Sequence, residues 1–343
     1  GDRHQWTVWS GWQDYGLYRQ DTGRFLSEFG FQAMPAWRTV LEYTAPEDRT
    51  ILSPVMRSHN KMAEGTERLL RFLVGRLGLP RDLRAFVYLT QFNQAEAIKT
   101  GVEHWRRRKF MTSGALYWQL NDCWPVASWS CLDYHKRKKG LYHYTKAFFA
   151  PILPIMEYEE GEIALYGVND RLEAVEGEAR VRAYALDGTL RGEAAFPVRL
   201  PANGSALLGR LDPASLGIGH TQRVLPVEGN SQSVPRAFNG ELLDTVVYVD
   251  LVVGDEVATN YRVFDRFREL RLQPATVQVA REGATLTLTS DAPAFGVFVE
   301  TEHDVDLSAN CLNLEPGRPV TVVCSADPGA VEVVHLVDLV ARI

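Results

Sequence analysis

The chain has 343 residues, is 45% hydrophobic and 23% charged, and carries a formal net charge of −6 with a pI of about 5.8. Its length suggests two or three domains and its composition is that of an ordinary globular protein. Nothing in the charge favours nucleic acid, which needs clustered Lys and Arg, and no run of about 18 apolar residues is present to span a membrane.

The chain divides by composition near residue 150. All eight tryptophans lie between Trp6 and Trp129, and all seven lysines between Lys61 and Lys146. The first part alternates short apolar strands with helical patterns. Strands are expected around residues 6–9, 25–29 and 115–118. Helices are expected over 61–77, where Leu69, Leu70, Leu73 and Leu77 share a face, and over 95–108, where Ile98, Val102 and Trp105 form a core-facing stripe. A third helix is expected over 134–149, with Leu141, Tyr144 and Phe148 aligned. This is the rhythm of α/β units with parallel strands. The basic runs Arg106, Arg107, Arg108, Lys109 and Lys136, Arg137, Lys138, Lys139 each end or enter a helical stretch, and the first reads as a solvated C-terminal helix end. Glu96 reads as helix support for Lys99.

Pro151 and Pro154 mark the exit from the α/β part. Residues 152–269 read as a β-sandwich, with alternating strands over 179–186 and 245–253. Asp187-Gly188 is a hairpin turn, residues 201–205 are a second turn, and 217–240 are a long loop rich in Gly, Asn, Ser and Pro. Residues 270–343 repeat the style in smaller form, with strict alternation in Thr285-Leu286-Thr287-Leu288-Thr289, a looser one over 320–323, and a Pro316-Gly317 turn. Strand count and turn spacing fit two immunoglobulin-like sandwiches. Cys123, Cys131, Cys311 and Cys324 show neither metal-ligand spacing nor a dense disulfide framework. Cys311 and Cys324 either face each other across neighbouring strands or remain a reduced buried pair, a usage that leans towards the cytoplasm. No metal or other cofactor is expected.

Two stretches carry chemistry. In Arg24-Phe25-Leu26-Ser27-Glu28-Phe29-Gly30-Phe31-Gln32, a carboxylate stands inside an apolar, strand-like run. Burying it there costs several kcal/mol unless it is paired or used; the plain alternative is a strand-end glutamate turned to water. Further on, the strand Gly114-Ala115-Leu116-Tyr117 runs into Trp118, Trp124 and Trp129, with Asn121 and Asp122 between them. Indole faces stack on the C–H face of a pyranose while amide and carboxylate groups take its hydroxyls, a pocket with apolar walls and a few convergent polar groups. Against that, Trp124-Pro125 is also a fit plug for the end of a core.

These segments resemble the β-mannosidases of glycoside hydrolase family 2. The resemblance rests on Gly1-Asp2-Arg3-His4-Gln5-Trp6-Thr7-Val8-Trp9, on Ser27-Glu28-Phe29-Gly30-Phe31-Gln32, on Gln94-Ala95-Glu96-Ala97-Ile98-Lys99-Thr100, and on Tyr117-Trp118-Gln119-Leu120-Asn121-Asp122-Cys123-Trp124-Pro125-Val126-Ala127-Ser128-Trp129-Ser130. It is clear over about residues 1–150 and thins afterwards to matches such as Val168-Asn169-Asp170 and Asn260-Tyr261. It implies a multidomain chain in which residues 1–151 are the C-terminal portion of a (β/α)8 TIM barrel, followed by the two sandwiches. It implies that Glu28 is the nucleophile of a retaining mechanism, at a strand C-terminus as catalytic residues of such barrels are. Trp118 would floor the sugar site, with Asn121 or Asp122 binding hydroxyls, although Asp122 equally suits a loop cap. Trp124 and Trp129 either line the outer pocket or pack their loop. His4 and Trp6 fall near the site, His4 as a substrate contact or as a silent structural histidine.

The family's acid/base is the glutamate of an Asn-Glu pair, and no Asn-Glu dipeptide occurs here. The chain is therefore expected to be the later part of a longer enzyme, inactive alone, and paired with a missing N-terminal half or self-associated. Three functions compete: release of terminal β-mannose from non-reducing ends, hydrolysis of another sugar (β-glucosaminide, β-galactoside or β-glucuronide), and a non-catalytic carbohydrate-binding or structural role.

Overall fold

A computed structural model describes residues 1–219, 222–225 and 236–341. Contacts divide the chain into two units, one of residues 152–273 and the other of residues 1–151 together with the chain from Pro274 onward. Among the described residues no helix is long and apolar enough to cross a membrane.

The N-terminal part holds a parallel sheet in the order β1 (Asp2–Gln5), β2 (Phe25–Phe29), β3 (Ala115–Tyr117). Its helices are α1 (Trp37–Tyr43), α2 (Pro54–Ser58), α3 (Gly65–Arg76), α4 (Leu83–Arg107) and α5 (Gly140–Phe148). The first strand lies ahead of the expected residues 6–9 because Trp6 opens a tight turn. Its carbonyl accepts from Ser10 and Gly11 N–H at 2.8 and 3.3 Å, and a Cβ at Gly11 would stand 2.3 Å from the Thr7 carbonyl oxygen.

Helix α4 begins well before residue 95. Asp82 caps it, accepting from the Ala85 N–H at 2.7 Å, and His104, Arg106 and Arg107 complement the dipole in its last turn. The expected stripe of Ile98, Val102 and Trp105 is buried, with the Trp105 ring 4.6 Å from that of Phe29 on β2. Arg106 is not a solvated end: it donates to the Phe148 carbonyl at 2.6 Å. Lys99 reaches Glu103 at 3.0 Å, and Glu96 accepts from the Tyr144 hydroxyl at 3.0 Å. Helix α5 starts only at Gly140, because Asp133 turns the preceding segment by accepting from the N–H groups of His135 and Arg137, both at 3.0 Å.

The second unit is an antiparallel sandwich. One sheet runs β4 (Ile152–Glu159), β5 (Glu162–Asn169), β8 (Gly204–Leu211). The other runs β12 (Glu256–Val263), β11 (Thr245–Val253), β6 (Val175–Ala185), β7 (Leu190–Leu200). Alternate residues such as Leu165, Val181, Val249 and Leu251 fill the space between them. At the β6–β7 turn Gly188 takes φ 94°, open to glycine at no steric cost, and Asp187 accepts from the Thr189 N–H at 2.9 Å. Within the expected loop over 217–240, β9 (Gln222–Leu225) and β10 (Arg236–Asn239) form an antiparallel pair. Residues 220–221 and 226–235 of that loop lie outside the described residues.

The C-terminal module has two three-stranded sheets, β13 (Val277–Glu282), β14 (Thr285–Ser290), β17 (Val320–Val323) and β16 (Leu312–Leu314), β15 (Ala294–Thr301), β18 (Val331–Val334), and ends in α6 (Leu336–Leu339). Leu286, Leu288, Val297, Val299 and Leu314 form its core. Cys311 and Cys324 are buried and unbonded, which resolves their two readings in favour of reduced thiols.

This module grips α4 and α5. Arg84 bonds Glu300 at 2.7 Å and both carboxylate oxygens of Glu332 at 2.8 and 3.0 Å, and the Tyr88 ring lies 4.6 Å from Phe298. Gly296 sits at φ 55° with the Phe92 ring 3.0 Å from where a Cβ would stand. Gly296→Ala therefore combines a left-handed backbone with a forced ring shift. It should destabilise the chain by about 1–3 kcal/mol in urea unfolding; a change below about 0.5 kcal/mol would show that this contact is not tight.

Candidate active site

Strand β2 sets Glu28 beside His4 of β1 in the parallel register. Glu28 Oε2 accepts from the Trp6 indole N–H at 3.0 Å and lies 3.4 Å from His4 Nδ1, with the carboxylate side chain 30% exposed. The chain then bends at Gly30. A Cβ there would stand 2.5 Å from the Trp118 carbonyl oxygen, 3.0 Å from the Trp6 ring and 3.1 Å from the Trp129 ring. Glycine is thus what lets the Trp6 and Trp129 rings and the backbone at Trp118 pack against this bend, two residues beyond Glu28. Trp118 N–H donates to the Phe29 carbonyl at 2.7 Å, its side chain is 45% exposed, and the Trp118–Gln119 peptide is cis. Trp129 meets Trp6 edge-on at 6.0 Å. The result is a partly exposed carboxylate held by the Trp6 indole at the C-terminal end of a parallel sheet.

The segment after Glu28 is held from behind by α4. Thr90 Oγ1 accepts from the Met34 N–H at 3.1 Å, Gln91 donates to the Pro35 carbonyl at 3.0 Å, and Gln94 donates to the carbonyls of Phe31 at 2.7 Å and Ser130 at 3.2 Å. Those buried polar residues of the helix satisfy backbone groups that no sheet partner reaches. The turn over 6–12 is fixed by Arg68 of α3, which donates to the carbonyls of Trp9 and Ser10 at 2.6 and 3.1 Å and stacks on Trp12 at 3.7 Å.

The loop over 118–131 is organised by Asp122. Its side chain is fully buried, and it accepts from Ser128 Oγ at 2.7 Å, Ser130 Oγ at 2.5 Å and Gln119 Nε2 at 3.3 Å, while Lys61 Nζ lies 2.8 Å away. Ala33 and Ser128 exchange reciprocal backbone bonds at 2.9 and 3.1 Å, joining this loop to the segment after β2. Into that junction points Lys139, fully buried, donating to the carbonyls of Ala33 at 3.1 Å and Ser128 at 3.2 Å. Burial pulls its ammonium down to about 8, against the attraction of Asp122 and Asp133.

The candidates thus fall into groups. Glu28, His4 and Trp6 are in direct contact, and Trp118 joins this strand end through its backbone, with its N–H on the Phe29 carbonyl. Asn121 is exposed on the same loop, its amide turned to the Asp122 carbonyl at 3.3 Å. Asp122 is placed as the clamp of the loop, through side chains rather than backbone N–H groups. Trp124 lies with His59, 5.3 Å away, itself stacked on Tyr43. Trp129 packs against Trp6 and Trp9. Sequence reasoning missed Lys61, Arg68 and Lys139. Nothing in a run of four basic residues marks its last member as the buried one.

A lysine that is protonated near pH 10.5 when unfolded and near 8 when folded lowers stability below pH 8, and this cost disappears as pH rises to about 10.5. Wild type should therefore gain roughly 3 kcal/mol relative to Lys139→Met between pH 7 and 10.5. Paired urea titrations check this; parallel pH curves for the two proteins would contradict it.

Residues 161–269 match the Mannosidase Ig/CBM-like domain model, and residues 270–339 match an Ig-fold domain model. β-Mannosidase B of Thermothelomyces thermophilus is 30% identical over 94% of this chain and 40% of its own length. β-Mannosidase B of Emericella nidulans is 40% identical over 157 residues, 44% of this chain and 19% of its own. Among solved structures, β-D-mannosidase of Dictyoglomus thermophilum superposes over the whole chain and 41% of its own, with a TM-score of 0.82 and 32% identity. An exo-chitosanase of Amycolatopsis orientalis shares the fold over 93% of this chain and 44% of its own, with a TM-score of 0.64 and 18% identity. The chain spans less than half the length of each of these relatives. With the mannosidase Ig modules and the similarity over nearly the whole chain both present, this chain belongs to the β-mannosidases of glycoside hydrolase family 2.

Proposed function

We propose that this chain supplies the nucleophile and sugar platform of a retaining exo-β-mannosidase that removes terminal β-mannose from non-reducing ends. The observation that carries this is the Glu28 carboxylate held by Trp6 and His4 at the C-terminal end of β1 and β2, with the half-exposed Trp118 leaving the neighbouring β3. In this reading those strands belong to a (β/α)8 barrel, whose catalytic groups gather at that face. Leu116, Trp118 and Leu120 are 56%, 45% and 61% exposed along and beyond edge strand β3, and the rest of the enzyme would cover them.

In the reaction, Trp6 N–H holds Oε2 of Glu28, and Oε1 attacks the anomeric carbon. The glycosidic bond breaks as an acid contributed from outside these residues protonates the leaving oxygen. Water then hydrolyses the glycosyl ester, the same acid group acting as base. The two carboxyl groups of such a pair stand about 5–5.5 Å apart. Trp118 offers its exposed face to the sugar ring, Asn121 offers an amide to its hydroxyls, and Trp124 stands on the loop farther from Glu28. Without the partner acid, the chain alone should not turn over mannosides.

The test uses the full-length enzyme carrying this chain, beside its Glu28→Ala variant, on aryl β-mannoside, β-glucoside, β-galactoside, β-glucosaminide and β-glucuronide. Selective β-mannoside turnover, reduced at least about 10³-fold in the variant, is the expected result. Turnover of a different sugar would keep the nucleophile and replace the substrate. Equal rates for enzyme and variant would remove Glu28 from the mechanism.

A further inference from the structure

We propose that Lys139 is a positioning residue for the active site, its buried ammonium setting the spacing between the segment that carries Glu28 and the loop that carries Trp118. The inference rests on the glycosidase reading above. It begins from a cost without a local return. An ammonium removed from water is penalised by several kcal/mol unless its surroundings compensate. Yet the Ala33 and Ser128 carbonyls that receive Lys139 already accept from each other's N–H groups, at 2.9 and 3.1 Å. The backbone there is satisfied without the lysine, so hydrogen-bond satisfaction does not explain why a charge is placed at this point.

What the charge adds is a tie across two segments. Ala33 stands five residues beyond Glu28 on the chain leaving β2, and Ser128 stands one residue before Trp129 on the loop leaving β3. Ser128 Oγ also donates to Asp122, which Lys61 pairs on its other side. Lys139 is itself pinned: its N–H donates to the Cys131 carbonyl at 2.9 Å, and the next N–H, of Gly140, donates to Gln91 Oε1 at 3.0 Å. The ammonium thus ties the β2 exit to the tryptophan loop, while the backbone at 139–140 anchors it to the same loop and to α4. The charged and titratable groups facing it are Asp122, Asp133, Cys131 and Lys61. A shift of about 1 Å in such a junction costs on the order of 10²-fold in rate without removing any reacting group.

The experiment compares the full-length enzyme with its Lys139→Met and Lys139→Arg variants. For Lys139→Met the expected result is a roughly 10²-fold loss in kcat, with KM changed by less than about threefold and Tm shifted by only a few degrees, because Met replaces the stem and removes the charge. Lys139→Arg, which keeps the charge, should recover part of kcat. Wild type should also lose activity as pH rises through about 8, and Lys139→Met should lack that limb. Wild-type kcat and an unchanged alkaline limb in Lys139→Met would overturn the proposal. If the enzyme hydrolyses none of the aryl glycosides, the glycosidase reading fails and the positioning role is read from near-UV circular dichroism instead. A tryptophan signal that titrates near pH 8 in wild type and not in Lys139→Met supports it, and superimposable, pH-independent spectra overturn it.

Discussion

The site depends on a small set of buried charges behind it. Asp122 is a fully enclosed carboxylate, and an isolated charge in such a place is untenable. It persists because Lys61, Ser128, Ser130 and Gln119 surround it. Each of these partners belongs to, or lies against, the loop over 118–131, so satisfying one carboxylate fixes the course of that loop. Trp118 is half exposed and has little core packing of its own to hold it. Its position is inherited from the loop, through Asp122, and from the bond between its N–H and the Phe29 carbonyl.

The carboxylate that faces solvent is held in the opposite manner. Glu28 is contacted by His4 and Trp6 through the same oxygen, Oε2, and its side chain is 30% exposed. Trp6 in turn sits on a turn tied down by Arg68. The division of labour is physical: buried polar groups are used where rigidity is needed, and a single indole N–H where a carboxylate must stay accessible. The C-terminal module enters this scheme through α4. One end of that helix meets Glu300, Glu332 and Phe298, its middle satisfies the backbone after Glu28, and its far end packs Trp105 on Phe29. A single helix carries the bracing from the C-terminal module to the strand that carries Glu28.

Much of this was legible from residue order. Strand β2 and the alternation of β14 follow from apolar periodicity, and the Asp187-Gly188 hairpin from turn chemistry. Glu28 stood out as a charge in an apolar strand, and the Trp-Asn-Asp string as a sugar-site composition. The errors share a cause. Residues 6–9 look strand-like because of Trp6, Val8 and Trp9, whereas the burial of Trp9 comes from tertiary packing of a turn against Phe31, Phe72 and Trp129. Helix α4 was under-read at its start because Thr90, Gln91 and Gln94 interrupt its apolar pattern; their partners are backbone groups some 35 to 60 residues distant in sequence. Lys139 and Lys61 were invisible for the same reason, since the partners that justify their burial come from remote segments.

The central claim is that Glu28 forms a covalent bond to the sugar. The most direct measurement is to incubate the full-length enzyme carrying this chain with a 2-deoxy-2-fluoro-β-mannosyl fluoride and to map the labelled peptide by mass spectrometry. The fluorine at C2 slows release of the intermediate, so the account predicts one fluoromannosyl adduct per chain, on Glu28. An adduct on another carboxylate, or mannoside turnover and inactivation that survive Glu28→Ala, would contradict it.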